Sequence, residues 1–575
     1  MARISSRFAA KSSATSAHFR FWPSFATREL HAPNTNLYYN VEASARRYPN
    51  KPYIVFYDTA VSFAEFHEQA QRIAGFLERR CEIGRGDRVM LLMQNSPQFM
   101  IGYYAILRAN AVVVPLNPMN LTAELRSFAS DAASHTVLVS QELYSRIEPL
   151  IDDGLVKHAV VAAYSDYLKD STTLAVPNFV AAPRMEINRE GVALWTDVLE
   201  VNLRPGPITA VADDPCVMPY TSGTTGVSKG VMHSHRAVMH TAVSTMTWLA
   251  LQPEATLLAV APMFHVTGMQ GCLNGPMYTG CTIVLLARWD RDTAAQCVER
   301  YKVTTWTSVP TVIQDFFLNP HIDNYDISSI RRLSGGGAAM PAAVAQRLTA
   351  AGITYVEGYG LTETMAATHI NPIERPKAGC LGIPVFGVES TIIDPATLEP
   401  LSPGEIGEIV IHGPQVMLGY WNKPEDSAAV FVELDGKRFL RSGDLGRMDE
   451  DGYFFMVDRL KRMINASGFK VWPAEVENLM HQHPAVQEAC VIGIRDAHRG
   501  ETVKAFLVLR PPFADKILAQ DIIDWVRAHM AAYKAPRRIE FVNALPKSGS
   551  GKVMWRELQE LENANNARHC ETKSV

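Results

Sequence analysis

The sequence predicts an α/β protein, with a large N-terminal domain of two helix-covered parallel sheets and a small β-barrel, followed by a small α+β domain. Three observations carry this prediction. The chain has 575 residues, which is too long for one compact core. Short apolar runs alternate with helical patterns over the first 400 residues or so. Beyond Pro400 this texture changes to Pro/Gly turns, and it changes again near Leu460.

The parallel sheets are predicted from alternating strand and helix patterns. Segment 86–118 reads as strand, helix and strand, with the continuous apolar runs VMLLM and AVVVPL on either side of a helical spacing. The same alternation returns at TLLAVAPMF and CTIVLLA, and again at KVTTWTSVP. Such repeated units favour parallel sheets that are covered by helices.

The C-terminal part is predicted from its turns and short strands. The stretch PLSPGEIGEIVIHGP suits a small antiparallel barrel or meander. The last part combines the short strands EACVIGI and VKAFLVLR with a helix over residues 519–530. We therefore predict an N-terminal extension over residues 1–35, a large domain over 36–460 and a small domain over 461–575.

Composition narrows the functional class. The formal net charge is -4, so the chain lacks the basic excess that is typical of nucleic-acid-binding surfaces. Its eight cysteines form no CxxC pair. These features predict a cytoplasmic protein in a reducing compartment, without nucleic-acid partners, disulfides or structural zinc.

The N-terminal stretch supports two interpretations. The first 28 residues contain no Asp or Glu, and basic residues stand among serines and alanines. This composition is typical of a transit peptide, which would direct the protein to the mitochondrial matrix. The alternative is an extension of a bacterial enzyme that frays from the fold. No apolar run reaches the roughly 18–20 residues that a transmembrane helix needs.

The segment YTSGTTGVSKGV, residues 220–231, is the first candidate site. Its glycines allow backbone N–H groups to converge on an anion, its hydroxyls add neutral donors, and Lys229 adds a mobile positive charge for phosphate. The segment does not match the P-loop pattern, because Ser228 rather than glycine precedes Lys229. A solvated surface turn is the alternative interpretation of this loop alone.

Further motifs follow the loop in a fixed order over more than 300 residues: PMFHVTG, GYGLTET, RSGDLG, DRLKRMINASGFKVWPAEVE and PKSGSGKV. Together with the loop they resemble the acyl- and aryl-CoA synthetases of the adenylate-forming superfamily. The resemblance extends from about Asn36 to Glu560. It implies that a carboxylic acid reacts with ATP to give an acyl-adenylate and pyrophosphate, and that coenzyme A then displaces AMP. The implied cofactors are ATP, Mg²⁺ and coenzyme A.

The resemblance assigns roles around the nucleotide. Glu363 is implied as the magnesium-associated and catalytic carboxylate, Tyr359 as the ring that stacks on adenine, and Thr362 as a hydroxyl near the α-phosphate. Gly337 brings the backbone close to the nucleotide. The residues that grip the β- and γ-phosphates, with Thr225 also counted as catalytic, are Thr221, Ser222, Gly223, Thr224, Thr225, Gly226 and Lys229.

Other implied roles fall in the C-terminal third. Asp444 and Arg459 are implied as ribose-binding residues. Lys552 is implied as the catalytic lysine that bridges the carboxylate and the α-phosphate. Lys461 is implied as the hinge about which the small, mobile domain swings between the two half-reactions. The implied lining of the pantetheine channel is Gly468, Phe469 and Lys470.

The resemblance also implies an acyl pocket, with His265 as a gate. Its implied walls are Val266, Thr267, Gly268, Met269, Trp306 and Val309. They are neutral and mostly apolar, which favours an apolar monocarboxylic acid, with a medium- or long-chain fatty acid first and a cinnamate or benzoate as the alternative. Gly268 and Gly271 are expected to leave room for a tail.

Other functions use the same motifs. A stand-alone adenylation enzyme that serves a separate carrier protein is the nearest alternative, followed by a luciferase-like monooxygenase. An inactive paralogue that acts as a nucleotide-sensing scaffold is disfavoured by the intact Lys229, Glu363, Asp444, Arg459 and Lys552. A homodimer is left open.

Overall fold

The computed structural model describes residues 17–221, 228–336, 340, 342–466, 469–496, 500–514, 516–547 and 553–571. The chain divides into two compact units. The first unit contains the residues up to Ser390, together with Ile411–Leu440 and Asp451–Tyr453. The second contains Thr391–Val410, Arg441–Glu450 and the chain from Phe454 onward. The boundary between residues 460 and 461 stays a prediction.

Among the described residues, the first fourteen α-helices belong to the first unit and the last three belong to the second. They are α1 Tyr39–Arg47, α2 Phe63–Arg80, α3 Pro97–Arg108, α4 Thr122–Asp131, α5 Tyr144–Asp152, α6 Asn178–Ala181, α7 Trp195–Val201, α8 His235–Trp248, α9 Val266–Gly268, α10 Gly275–Thr279, α11 Arg291–Tyr301, α12 Pro310–Phe317, α13 Ala342–Ala350, α14 Pro424–Ala429, α15 Pro473–Met480, α16 Ala519–His529 and α17 Trp555–Glu571. A π-helical segment, Met269–Asn274, connects α9 to α10.

The strands form sheets in both units. They are β1 Pro52–Phe56, β2 Thr59–Ser62, β3 Arg88–Leu92, β4 Val112–Pro115, β5 Thr136–Ser140, β6 His158–Ala162, β7 Val192–Leu194, β8 Pro215–Val217, β9 Tyr220–Thr221, β10 Lys229–Ser234, β11 Thr256–Ala259, β12 Thr282–Leu285, β13 Thr305–Thr307, β14 Arg332–Gly336, β15 Thr354–Leu361, β16 Ala366–Ile370, β17 Ile383–Pro384, β18 Glu389–Ile393, β19 Gly407–His412, β20 Gly419–Tyr420, β21 Phe431–Leu434, β22 Lys437–Met448, β23 Phe454–Arg459, β24 Ile464–Ala466, β25 Phe469–Val471, β26 Val486–Asp496, β27 Gly500–Leu509 and β28 Arg538–Phe541.

Two large sheets organise the first unit. One has the order β17-β16-β15-β14-β13-β11-β12-β1-β2, and its strands run parallel from β15 to β1. The other has the order β20-β10-β8-β4-β3-β5-β6-β7 and is parallel from β8 to β7. Antiparallel strands, which the sequence did not predict, extend both sheets at their edges. The predicted pair of parallel sheets is confirmed.

Strand β3 shows why its apolar run is continuous. Val89 and Leu91 belong to one buried cluster, whereas Met90 and Leu92 belong to another. Successive side chains of a strand point to opposite faces of the sheet, so β3 is buried on both faces. Helix α3 begins at Pro97, and the side chain of Ser96 caps it by accepting from the Phe99 amide.

The predicted antiparallel and α+β parts are also present. In the second unit, β22 pairs antiparallel with β23, from Asp444 opposite Arg459 to Met448 opposite Phe454. The C-terminal sheet has the order β25-β24-β27-β26, with β28 parallel to β27. Its buried cluster includes residues of α15 and α16, so the sheet and these helices share one core.

The described part of the N-terminal stretch is packed against the first unit. Its residues Ala17–Phe21 form a 3₁₀ turn. The Trp22 ring lies edge-on to Trp248 at 4.8 Å and to Phe386 at 5.1 Å, and Phe21 lies edge-on to Tyr453 at 5.2 Å. The expectation that this stretch frays from the fold is wrong for residues 17–22, because its aromatic rings find apolar partners there.

Trp22 gives a first prediction. Trp22→Ala should destabilise the first unit by about 2 kcal/mol, because it removes the edge-on contacts of the indole with Trp248 and Phe386 and leaves a cavity beside Trp248. Thermal denaturation should show a lower midpoint temperature than wild type. Phe25 is 48% exposed, so Phe25→Ala is the matched control and should shift the midpoint far less. Equal shifts for the two variants would contradict the packing role.

Three features of the described residues concern disulfides, metal clusters and membrane-spanning helices. The seven cysteines that the structure describes are buried, and none of them forms a disulfide. In the same residues, no cluster of three or more His, Cys, Asp or Glu side chains is arranged to hold a metal ion. No helix among them is long and apolar enough to cross a membrane.

Candidate active site

The glycine-rich loop is held at both ends by a short antiparallel pair. Thr221, at the end of β9, lies opposite Lys229, at the start of β10. Gly230 is likewise paired with Tyr220. The loop therefore leaves and re-enters the sheet at adjacent positions, and its role in binding phosphate stays a prediction.

Lys229 is half-buried in a small cluster of polar groups. Its Nζ lies 3.0 Å from Oδ1 of Asp426, and its side chain is 11% exposed. The same Nζ lies 5.0 Å from the centre of the Tyr420 ring. The ammonium group thus has a carboxylate and an aromatic face as neighbours, and both stabilise its positive charge.

Glu363 belongs to a 3₁₀ turn, Thr362–Thr364, between β15 and β16. Its backbone oxygen accepts from the Met417 amide at 2.8 Å, and its Oε1 accepts from the Tyr420 hydroxyl at 2.9 Å. The preceding carbonyl, that of Thr362, accepts from Nε2 of the fully buried His233 at 2.7 Å. Burial lowers the pKa of His233 to about 4, so the ring is neutral and serves as a fixed donor.

These residues fit a magnesium ion that is shared with a polyphosphate. Mg²⁺ is usually bound by one or two protein carboxylates, with phosphate and water oxygens in the remaining positions. Glu363 offers one such carboxylate, and Tyr420 orients it through a single oxygen.

Tyr359, the residue predicted to stack on adenine, lies on β15. Its ring is half-buried and lies 5.6 Å from the ring of His369, on the neighbouring strand β16. Glu357, two positions earlier on the same face of β15, is a half-buried carboxylate that the sequence analysis missed. Burial raises the pKa of Glu357 to about 7.

Glu357 gives a prediction for stability against pH. The folded protein keeps this carboxyl protonated up to about pH 7, whereas the unfolded chain releases the proton near 4.5. Its contribution to folding is therefore complete below pH 4.5 and is lost as the pH rises through 7. Because glutamine cannot ionise, Glu357→Gln should have a higher midpoint temperature than wild type at pH 8.5, and a smaller difference at pH 5.

Scanning fluorimetry at the two pH values measures this effect. Glu425 is an exposed carboxylate, so Glu425→Gln is the matched control and should follow wild type at both values. A difference between Glu357→Gln and wild type that does not change with pH would show that Glu357 is ionised throughout.

The two predicted ribose-binding residues are neighbours in the second unit. Asp444 and Arg459 face each other across β22 and β23, and Oδ1 of Asp444 lies 3.0 Å from Nε of Arg459. The Asp444 side chain is 2% exposed, whereas that of Arg459 is 56% exposed. The structure thus brings together a buried acceptor and an accessible cation, and their ribose-binding role stays a prediction.

The segment predicted to form the acyl pocket begins at His265. Its side chain caps α9 by accepting from the Thr267 amide at 3.3 Å. Val266 and Met269 are buried, with 2% and 0% exposure, and they give the segment apolar walls. Val309 is half-buried and immediately precedes α12.

Two glycines do not play their expected part. A Cβ atom at Gly268 would lie 2.2 Å from the Pro262 carbonyl oxygen, and one at Gly271 would lie 2.9 Å from a methyl group of Thr307. Glycine is needed at both positions because another part of the chain approaches closely. The expectation that these glycines leave room for an acyl tail is wrong.

Trp306 also differs from its expected surroundings. Its indole is buried, stacked on Trp289 with ring centres 5.3 Å apart and edge-on to Phe316. Thr307, the next residue on β13, points to the opposite face and contacts Gly271 in the π-helical segment. Thr307, rather than Trp306, therefore faces the segment that follows His265.

Several predicted residues lie outside the described residues or have only their backbone described. Lys461, Phe469 and Lys470 are placed in a 3₁₀ turn and in β25, without a description of their side chains. The predicted residues that lie outside the described ones are Ser222, Gly223, Thr224, Thr225, Gly226, Gly337, Gly468 and Lys552. Their roles stay predictions.

Comparisons with known proteins decide the family. The family model described as AMP-binding enzyme matches residues 41–421, and the model for the AMP-binding enzyme C-terminal domain matches residues 475–552. The chain belongs to the AMP-binding enzymes. It is an AMP-forming acyl-CoA synthetase that uses ATP and coenzyme A, with the Mg²⁺ that is typical of the family.

Named relatives cover nearly the whole chain. A long-chain-fatty-acid–CoA ligase of Bacillus subtilis (strain 168) is 34% identical over 95% of this chain and 98% of its own. A feruloyl-CoA synthase of an Amycolatopsis species is 33% identical over 90% and 96%. The crystal structure of the anthranilate CoA ligase AuaEII with anthranoyl-AMP has a TM-score of 0.80 at 27% identity, and covers 93% of this chain and 98% of its own.

Besides Glu357, two residues beside the predicted site of this acyl-CoA synthetase were missed by the sequence analysis. Tyr420 and Asp426 lie in GYWNKPED, a motif that follows the predicted barrel strand EIVIHG. A tyrosine and acids beside Gly and Pro resemble an ordinary turn, so nothing local marks them as part of a site. Only the pairing of β20 with β10 brings them to Lys229 and Glu363.

Proposed function

We propose that this acyl-CoA synthetase acts on a medium- or long-chain fatty acid. The observation that carries the proposal is its identity of 34% over nearly its full length with the Bacillus subtilis long-chain-fatty-acid–CoA ligase. The described segment after His265 supports it, because Val266 and Met269 are buried and apolar and the hydroxyl of Thr307 is neutral. We place the acyl pocket along this segment, with Thr307 as a wall in place of Trp306.

In the first half-reaction, a carboxylate oxygen of the acid forms a bond to the α-phosphorus of ATP. The bond from that phosphorus to the bridging oxygen breaks, and pyrophosphate leaves. Lys229 and the loop hydroxyls hold the β- and γ-phosphates, Glu363 holds the magnesium that offsets their charge, and Lys552 binds the carboxylate and the α-phosphate.

In the second half-reaction, the sulfur of coenzyme A bonds to the acyl carbon. The bond between that carbon and the phosphate oxygen breaks, the thiol proton is lost, and AMP leaves. Asp444 and Arg459 hold the ribose through both steps, since a carboxylate accepts from two hydroxyl groups and a guanidinium adds donors. Gly468, Phe469 and Lys470 line the channel of the thiol after the small domain has swung about Lys461.

The test measures pyrophosphate release by the purified protein with a panel of saturated fatty acids, ferulate, benzoate and anthranilate, with and without coenzyme A. We expect release with fatty acids of medium or long chain, and continued turnover only when coenzyme A is present. Faster release with the aromatic acids would overturn the fatty-acid assignment.

An aromatic acid is the second candidate, because the feruloyl-CoA synthase of Amycolatopsis is 33% identical and the structure of AuaEII matches over 93% of the chain. Release that needs no coenzyme A, followed by transfer to an added carrier protein, would instead favour a stand-alone adenylation enzyme. The acid panel separates the fatty from the aromatic acids, and the added carrier protein tests the third alternative.

We infer that the enzyme works in the cytoplasm, since the two relatives described above are bacterial. They give no support to the mitochondrial alternative. A homodimer stays a prediction, which light scattering of the purified protein would test.

A further inference from the structure

Segment 417–421, which contains β20, is hydrogen-bonded to both parts of the predicted polyphosphate site. On one side, the Leu418 amide donates to the Met232 carbonyl, and the Trp421 amide donates to the Gly230 carbonyl. These bonds tie the segment to β10, which begins with Lys229. On the other side, the Met417 amide donates to the Glu363 carbonyl. One short segment therefore fixes the backbones of the lysine and of the glutamate.

The side chain of Tyr420 repeats this connection. The residue is 8% exposed, its hydroxyl donates to Glu363 at 2.9 Å, and its ring lies 5.0 Å from Nζ of Lys229. A hydrogen bond to one carboxylate oxygen leaves the other oxygen for a further partner. A ring beneath an ammonium group restricts where that group can move. Tyr420 thus touches both charged groups.

Asp426 supplies the third charge. It lies on α14, and its carboxylate pairs with Lys229 at 3.0 Å while its side chain is 43% exposed. The following residue, Ser427, accepts from the Tyr420 amide at 2.9 Å and donates to the Lys423 carbonyl at 2.7 Å. These bonds hold the helix that carries Asp426 at a fixed place beside the tyrosine.

We propose that Tyr420 is a positioning residue that holds Lys229 and Glu363 in register for the polyphosphate of ATP, and that Asp426 competes with that polyphosphate for Lys229. The proposal rests on the assignment of Lys229 and Glu363 to the phosphates and their magnesium. It adds two roles to that assignment. Tyr420 couples the positions of Lys229 and Glu363, and Asp426 is the anion that Lys229 must leave when ATP binds.

The competition follows from charge. An exposed carboxylate offers Lys229 one negative charge, whereas the β- and γ-phosphates together offer three or more. Lys229 therefore exchanges Asp426 for phosphate when ATP binds. It returns to Asp426 when pyrophosphate leaves, so the acid assists product release. Glu363 stays in place throughout, because Tyr420 holds it by a bond that neither ligand replaces.

Tyr420→Phe tests the positioning role. Phenylalanine keeps the ring beneath Lys229 and removes only the hydroxyl that bonds to Glu363. Calorimetric titration with ATP, without any acid substrate, reports binding with no turnover. We expect about tenfold weaker binding in the presence of Mg²⁺ and unchanged binding in EDTA, since the lost hydrogen bond orients the magnesium carboxylate. Equal weakening in Mg²⁺ and in EDTA would overturn this role.

Asp426→Asn tests the competition. We expect two- to fivefold tighter binding of ATP and of pyrophosphate at low salt, and a smaller gain at high salt, because the removed ion pair is partly exposed. Glu425→Gln removes the same charge from the neighbouring exposed position and is the matched control. Unchanged or weaker binding by Asp426→Asn would overturn the competition, as would an equal gain with Glu425→Gln.

Lys229→Ala separates this proposal from the assignment on which it rests. We expect this variant to weaken ATP binding both in Mg²⁺ and in EDTA, because it loses a direct phosphate contact. If it binds ATP normally, the phosphate assignment fails and the proposal fails with it. If it binds weakly while Tyr420→Phe and Asp426→Asn behave as wild type, the assignment stands and the proposal alone is overturned.

Discussion

Lys552→Ala is expected to slow adenylate formation by about 10²–10³-fold, because it removes an electrostatic donor that is aimed at the charge developing on the α-phosphate and the attacking carboxylate. This is the largest effect that the sequence predicts for one side chain. Pyrophosphate release in a single turnover, with a fatty acid that the wild type accepts, is the measurement.

The two half-reactions separate this role from a general loss of folding. The lysine is predicted to act only in adenylation, so thioester formation from a synthetic acyl-adenylate and coenzyme A should proceed at close to the wild-type rate. A variant that has lost its fold would fail in both steps. An equal loss in both half-reactions would contradict the assignment.

Lys547 provides the matched control. It lies five positions earlier on the same segment, is 44% exposed and pairs with Glu488 at 2.8 Å. Lys547→Ala removes a surface ion pair, which contributes little to stability. Adenylation should therefore stay close to wild type, and a loss as large as that of Lys552→Ala would show that the effect is not specific to Lys552.

The parallel sheets could be predicted from the sequence because a strand that is buried on both faces has a continuous run of apolar residues. VMLLM has no polar residue, and β3 proves to contribute alternate residues to two buried clusters. The edges of the sheets could not be predicted in this way. Strands such as β17 and β20 have two residues each, too few for any periodicity, and their pairing depends on distant parts of the chain.

The residues of the predicted site divide in the same way, into those that local motifs predict and those that only distant contacts reveal. Lys229, Glu363, Asp444 and Arg459 stand in motifs that could be recognised, and the structure pairs the last two directly. Asp426 and Tyr420 are ordinary residues of a Gly/Pro-rich turn, and only contacts with residues far along the chain give them a place in the site.

Glycines misled the sequence analysis for a related physical reason. A glycine records that something comes close to the backbone, and the sequence does not say what. At Gly268 the neighbour is the Pro262 carbonyl rather than a substrate. The prediction for Trp306 was wrong because adjacent residues of a strand point to opposite faces of the sheet. Its neighbour on β13, Thr307, faces the segment that the prediction had assigned to Trp306.

Glu363→Gln is expected to lower kcat by about 10²-fold, because the amide keeps the size of the side chain but removes the charge that holds magnesium on the phosphates. The amide oxygen can still accept from the Tyr420 hydroxyl, so the local structure should persist. The Mg²⁺ concentration that gives half-maximal pyrophosphate release should rise. A normal rate with unchanged Mg²⁺ dependence would contradict the assignment, and Glu425→Gln is again the neutral control.

A double variant makes this prediction sharper. Tyr420 bonds directly to Glu363, so substitutions of the two residues should not act independently. Once glutamine has replaced the carboxylate, the tyrosine hydroxyl has no magnesium ligand left to orient. Glu363→Gln combined with Tyr420→Phe should therefore be hardly slower than Glu363→Gln alone. If the two losses multiply instead, Tyr420 acts on the reaction by a route other than Glu363, and the ring beneath Lys229 becomes the contact to test.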